Sequence, residues 1–141
     1  MTEKLATRVK SVIYMHPVAK GRPRLGQYGT YTPVDTVRAE NYIKYTLAQE
    51  FREPPFGKDD ALKLTVTFYR QRPASTPKRV TQPITRPDID NYLKLLCDAC
   101  NGVLWHDDSQ ITSIQASKQF GTPRIELELE QMLPIKEMRS N

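Results

Sequence analysis

Proline placement does most to limit how this chain can fold, because a fixed φ and a missing N–H bar proline from helix interiors and central strands. There are eleven prolines in 141 residues, and the stretches 34–53, 56–72, 88–122 and 124–133 run free of them. Between the prolines, the spacing of apolar residues assigns the elements. Val9 to Met15 is β-branched and apolar and ends at a Pro/Gly region, which predicts a first strand, with residues 16–32 as loop. Thr32 and Pro33 supply a cap and a first-turn proline, and Ala39, Tyr42, Ile43, Leu47 and Phe51 recur at helical spacing. An amphipathic helix over about 33–52, halted by Pro54-Pro55, follows.

Leu62, Leu64, Val66 and Phe68 alternate with Lys63, Thr65 and Thr67, the period of a strand with one buried face. Arg70 to Arg86 has neither period and holds Pro73, Pro77 and Pro83, with Pro87 next; loops of that length are usually functional or disordered, and a flap is the expected use. A second helix is predicted from about Asp88 to Asn101, its apolar stripe being Ile89, Tyr92, Leu93, Leu96, Cys97 and Cys100 and its stop Gly102. Asp90, Lys94 and Asp98 lie on the other side. Ile111–Phe120 and Arg124–Glu130 read as a hairpin joined by Gly121-Thr122-Pro123, with Ile125, Leu127 and Leu129 inward and a loose tail over 134–141.

This order predicts a two-layer α+β domain, two helices on one face of a small mixed or antiparallel sheet of about four strands. At 141 residues, one domain with a core over about 9–130 is the expectation. No apolar run approaches the roughly 20 residues of a membrane span, and the start lacks a signal-peptide core, so a soluble cytoplasmic protein without membrane association is expected. Cys97 and Cys100 fit buried thiols in a reducing compartment. Zinc is not expected: the chain has two histidines and no second cysteine pair, and both thiols fall on the apolar stripe.

Charge is distributed unevenly. No Asp or Glu occurs between Glu3 and Asp35 or between Asp60 and Asp88, so two long segments are purely basic. Such segments attract polyanions. Lys20, Arg22 and Arg24 in the first, and Arg72, Lys78, Arg79 and Arg86 in the second, are the candidate contacts to nucleic-acid phosphates; Tyr28 and Tyr31 are candidates for stacking on exposed bases.

Against this basic background stand Asp88, Asp90, Asp107 and Asp108. Hard divalent cations prefer carboxylate oxygens, with phosphate oxygens completing the shell. Local structure offers another account: Asp88 as an N-cap, Asp90 favouring the helix dipole and pairing with Lys94, and Asp107-Asp108 as a turn. Spacing leaves both open.

The string Arg86-Pro87-Asp88-Ile89-Asp90-Asn91-Tyr92-Leu93-Lys94, continuing through Asp98-Ala99-Cys100-Asn101-Gly102 to Trp105-His106-Asp107-Asp108-Ser109-Gln110, resembles the core signature of the RusA family of Holliday junction resolvases. Pro17-Val18-Ala19-Lys20-Gly21-Arg22-Pro23-Arg24 is similar to that family's basic loop. The resemblance implies a magnesium-dependent crossover junction endodeoxyribonuclease of bacterial, phage or prophage origin, with manganese able to substitute. It implies a homodimer that resolves four-way DNA junctions by paired symmetric nicks in recombination and repair. Asp88, Asp90 and Asp108 are then the metal ligands, Lys94 the catalytic lysine, and Asn91 and Asp107 supporting residues. A nuclease without junction preference and a non-catalytic nucleic-acid-binding protein are the rival readings. Two positions apart, Asp88 and Asp90 diverge by about 200° on a regular helix, so they can converge only if Asp88 acts from the cap.

Overall fold

In a computed structural model, the described residues are 7–22, 24–27, 29–31 and 33–132, without the side chains of residues 24 and 29–31. Six strands and two helices follow in the order β1 (Arg8–Ile13), β2 (Arg24–Gly26), β3 (Gly29–Tyr31), α1 (Val34–Glu50), β4 (Leu62–Arg70), α2 (Ile89–Cys100), β5 (Ile111–Phe120) and β6 (Arg124–Gln131). A one-turn 3-10 helix, Asp108–Gln110, leads into β5. The main sheet has the order β1-β6-β4-β5, with β4 antiparallel to β6 and parallel to β5. The fold is α+β in two layers, as the periodicities imply.

In β4, Leu62, Leu64, Val66 and Phe68 are buried, and so are Ile125, Leu127 and Leu129 of β6. These alternating residues form the sheet's inner face, over which the helices lie. From α1 come Ala39, Ile43 and Leu47; from α2 come Tyr92, Leu95, Leu96, Ala99 and Cys100. Phe68 and Tyr92 stack with centroids 5.2 Å apart, joining the two layers. The buried stripe of α2 is broader than expected, taking in Leu95 and Ala99, because this helix packs on α1 as well as on the sheet. Among the described residues, no helix is long and apolar enough to cross a membrane.

Four local expectations change. β5 and β6 do not form a hairpin; they flank β4 on opposite sides. The strands whose inner face is wholly apolar take the centre, and β5, rich in Ser, Gln and Thr, takes an edge. Residues 121–123 therefore bridge two inter-strand spacings of about 4.8 Å each across the end of β4. The Gly121 N–H donates to the Arg70 carbonyl at 2.8 Å, and a Cβ at residue 121 would lie 2.8 Å from the Tyr69 ring. Glycine permits this crossing.

Second, the segment read as loop over 16–32 contains the antiparallel β2–β3 ribbon. Third, the proline-rich connection has no helix or strand, yet it is tied down. Arg70 donates to the Thr85 carbonyl and hydroxyl at 2.9 and 3.3 Å. Arg72 donates to the Pro77 and Val80 carbonyls, and Lys118 to those of Thr85 and Pro87. Fourth, Pro33 occupies the N-cap of α1 rather than its first turn. The readings of Thr32 as a cap and of residues 134–141 as a tail lie outside the described residues.

Candidate active site

α2 begins two residues after Pro87. Asp88 has φ −73° and ψ 152°, the non-helical geometry of an N-cap, but its carboxylate makes no capping hydrogen bond. Asp90 follows in the first turn, and Asp88, Asp90 and Lys94 are all exposed. Among the described residues, none of the three side chains has a hydrogen bond or an ion pair, so the i,i+4 pair between Asp90 and Lys94 is not formed. Helix capping and surface pairing do not occupy these side chains.

The entry is held from below by buried Tyr92, Leu95 and Leu96, and from the side by backbone. The Lys20 N–H donates to the Asn91 carbonyl at 3.0 Å. Lys118 reaches the Pro87 carbonyl from β5 at 3.1 Å. The Asn91 side chain, expected to support the site, is exposed, and the contact it makes to the basic loop is through its carbonyl.

The second acidic turn is built differently. Asp107 is the N-cap of the 3-10 turn and accepts from the Ser109 N–H at 3.0 Å, closing a capping box with Gln110. Those bonds favour the ionised form and hold the Asp107 carboxyl below its ordinary pKa. The Gln110 carboxamide oxygen accepts from the His106 and Asp107 N–H groups at 2.9 and 3.2 Å, and its nitrogen donates to the Gly57 and Asp60 carbonyls at 2.8 and 3.0 Å. Asp60 in turn accepts from the Gly57 N–H and the Gln131 side chain. Asp108, between these anchored residues, is exposed; its carbonyl accepts from the Ile111 N–H, but its carboxylate makes no hydrogen bond among the described residues.

The Asp108 charge acts on α2. Burial, aided by the charges of Asp108 and Asp98, pushes the Cys97 thiol up to about 11. Residues 90, 94 and 97 share one stripe of an α-helix. The 3-10 turn packs against α2, close enough for the Asp108 charge to act on Cys97. The carboxylates are not gathered into a closed cage: among the described residues, no three His, Cys, Asp or Glu side chains stand close enough together to hold a metal ion.

The basic residues divide in the same way. Lys20 is taken up internally, with Nζ 2.7 Å from Glu40 and 3.2 Å from Asp98. Burial opposes its charge, but the bonds to both carboxylates outweigh that effect and raise its pKa. Arg72 is bound to loop carbonyls and lies 5.8 Å from the Phe120 ring centre. Arg22, Lys78, Arg79 and Arg86 are exposed, with no intramolecular partner among the described residues. The side chains of Arg24 and Tyr31, and all of Tyr28, lie outside the described residues.

Two structural roles went unread in the sequence. The Asp107-x-x-Gln110 spacing is itself a capping-box signal and could have separated Asp107 from Asp108. Lys118 has no such signal, since it meets Pro87 only because β5 runs parallel to β4.

The family model described as endodeoxyribonuclease RusA matches residues 15–130. The chain is also 30% identical over 134 residues to the uncharacterized protein YqaN of Bacillus subtilis (strain 168), covering 84% of this chain and 93% of the relative. The matched span includes the basic loop, the entry of α2 and the turn that presents Asp108, and on that basis this chain belongs to the RusA endodeoxyribonuclease family.

Proposed function

We propose that this protein is a magnesium-dependent endonuclease that resolves four-way DNA junctions by symmetric nicks, acting as a homodimer in recombination and repair, with manganese able to substitute. The observation that carries this reading is selective freedom. The carboxylates of Asp88, Asp90 and Asp108 are exposed and unbonded among the described residues, whereas those of the neighbouring Asp98 and Asp107 are engaged with Lys20 and Ser109. Carboxylates left without partners beside basic loops repel phosphate unless a cation joins them.

The donor chemistry fits magnesium, an oxygen-seeking ion that keeps several waters and takes one or two carboxylates plus substrate phosphates rather than an all-protein cage. Asp88 and Asp90 from the α2 entry, with Asp108 from the 3-10 turn, would hold it. When bound, the ion supplies a polarised water and positive charge at the scissile phosphate. The chain's own groups do the rest. Lys94, one turn along from Asp90, offers an unpaired ammonium to the phosphate oxygens as charge builds on them. The uncapped N–H groups at the start of α2 favour the same anion. Arg86, Lys78 and Arg79 on the strapped loop, and Arg22 on the other, hold the flanking strands. A C2 dimer sets two such sites against the two opposed strands of a junction.

Incubation of the purified protein with a labelled four-way junction, a matched duplex and a single strand, each with magnesium or with chelator, tests the reading. Paired nicks in the junction alone, only with metal, are expected. Equal cleavage of all three substrates contradicts junction resolution, and binding without cleavage contradicts the enzyme.

A further inference from the structure

The helix-facing row of β4 runs Leu62, Leu64, Val66, Phe68 and then Arg70, so a cation stands where the alternation calls for another apolar residue. A second cation lies beside it. Lys118 of β5 is half-buried and is registered against Phe68 across the β4–β5 ladder. Both side chains converge on one residue of the proline-rich connection. Arg70 donates to the Thr85 carbonyl at 2.9 Å and Lys118 to the same oxygen at 3.1 Å, which puts the two charged nitrogens within about 6 Å of each other. Like charges at that distance repel, more strongly where water is partly excluded. Neither forms an ion pair among the described residues, and no Asp or Glu occurs from 61 to 87 or from 109 to 125. Tying down the connection needs donors rather than charges, since a glutamine bonds a carbonyl without the repulsion.

We propose that Arg70 and Lys118 form a seat for a backbone phosphate of the DNA strand, the one next to the scissile phosphate. Donors remain for it. Lys118 uses two of its three N–H donors, on the Thr85 and Pro87 carbonyls, and Arg70 uses two of its five, on the Thr85 carbonyl and hydroxyl. The seat adjoins the acidic motif, because the Pro87 carbonyl that Lys118 holds directly precedes Asp88. It also has room. A cavity of about 650 Å³ is lined by Lys118, by Gln82 and Ile84 of the connection, by Ser117 and Gln119 of β5, and by Ile89 at the start of α2. Ile89 separates Asp88 from Asp90, so a strand whose scissile phosphate meets those carboxylates carries its neighbouring sugar and phosphate to the cavity. Ile84, 79% exposed, gives the sugar an apolar wall. A phosphate seated there turns the repulsion of two cations into two charge-assisted hydrogen bonds. That the ligand is DNA rests on the proposed nuclease function; the pairing of the cations does not.

The test is metal-free binding of a four-way junction over a salt series by the full chain and by the double variant Arg70→Gln with Lys118→Gln, with circular dichroism to check folding. The new carboxamides can still donate to the loop carbonyls, but the charges are gone. The slope of log affinity against log salt should fall by about 1, the loss of one phosphate contact. Junctions carrying a single neutral methylphosphonate, moved linkage by linkage past the cut, then locate that contact. One linkage next to the scissile phosphate should weaken wild-type binding about tenfold and leave the double variant unaffected. A folded double variant with an unaltered slope overturns the seat and leaves the nuclease reading standing. Methylphosphonate losses that match in the two proteins at every linkage do the same. Should the double variant not fold, Lys118→Gln is compared with the charge-retaining Lys118→Arg in the same scan, and equal behaviour of those two overturns the seat. A wild type that binds no DNA overturns both readings.

Discussion

The two turns that carry the acidic motif are held by opposite means. The entry of α2 is fixed by its apolar underside and by backbone bonds, leaving the side chains of Asp88, Asp90, Asn91 and Lys94 exposed. The turn before β5 has no buried residue and is fixed by its own polar side chains, Asp107 and Gln110. Where an apolar stripe supplies the rigidity, the polar motif side chains are left without intramolecular partners among the described residues. Where it does not, part of the motif becomes scaffold. Asp107 and Asp108, neighbours of the same residue type, therefore have different work: one holds the turn and the other is held out by it.

If that contrast is right, the largest effect belongs to the α2 entry. Asp90→Asn should retain junction binding and lose cleavage by on the order of a thousandfold, with stability nearly unchanged, because the carboxylate has no intramolecular bond to lose. Single-turnover cleavage with matched binding and thermal melts would check it, and full activity would remove Asp90 from the site.

Next comes the scaffold of the other turn. Gln110→Ala removes four hydrogen bonds of one side chain, two to N–H groups and two to carbonyls. A loss of about 1–3 kcal/mol of stability is expected, together with a fall of about 10- to 100-fold in cleavage as Asp108 loses its placement. Denaturant titration and a magnesium titration of activity separate the two. A stability loss with undiminished activity would show that Asp108 does not depend on this turn.

A smaller effect separates the basic residues. Arg79→Ala should lower the slope of log affinity for junction DNA against log salt by about 1. Lys20→Met should leave that slope unaltered and lower Tm by roughly 3–6 °C, since Lys20 spends its charge on Glu40 and Asp98. An altered slope for Lys20→Met would return this residue to the DNA.

The smallest effect is a pH dependence. Cys97 rises from 9.0 to about 11 through burial and nearby negative charge, and burial raises buried Cys100 further. A folded state that holds protons more tightly than the unfolded chain is favoured fully below the unfolded pKa and loses that advantage as pH climbs. Tm should fall between pH 9 and 11, less steeply in Cys97→Ala, as scanning calorimetry can check.

Much of the fold was legible because its signals are local. The alternation of Leu62 to Phe68 and the helical spacing of Tyr92 to Cys100 each report a buried face without reference to the rest of the chain. Strand order was not legible, since β4 lies between β5 and β6 through contacts that no local period encodes. The α2 entry could be read because Pro87 and Asp88 announce a helix start. Which charges are free was hidden for tertiary reasons: Lys20 meets Glu40 and Asp98 only after both helices pack, and Arg72 meets Pro77 and Val80 only once the loop folds back.

The most direct measurement compares Asp107→Asn with Asp108→Asn in magnesium-dependent junction cleavage. An asparagine at 107 still accepts from the Ser109 N–H and still caps the turn. The expected result is near wild-type cleavage for Asp107→Asn and none for Asp108→Asn, with both folded and both binding DNA. Equal loss in the two variants, or activity surviving in Asp108→Asn, would contradict the division of the paired aspartates into a holder and a ligand.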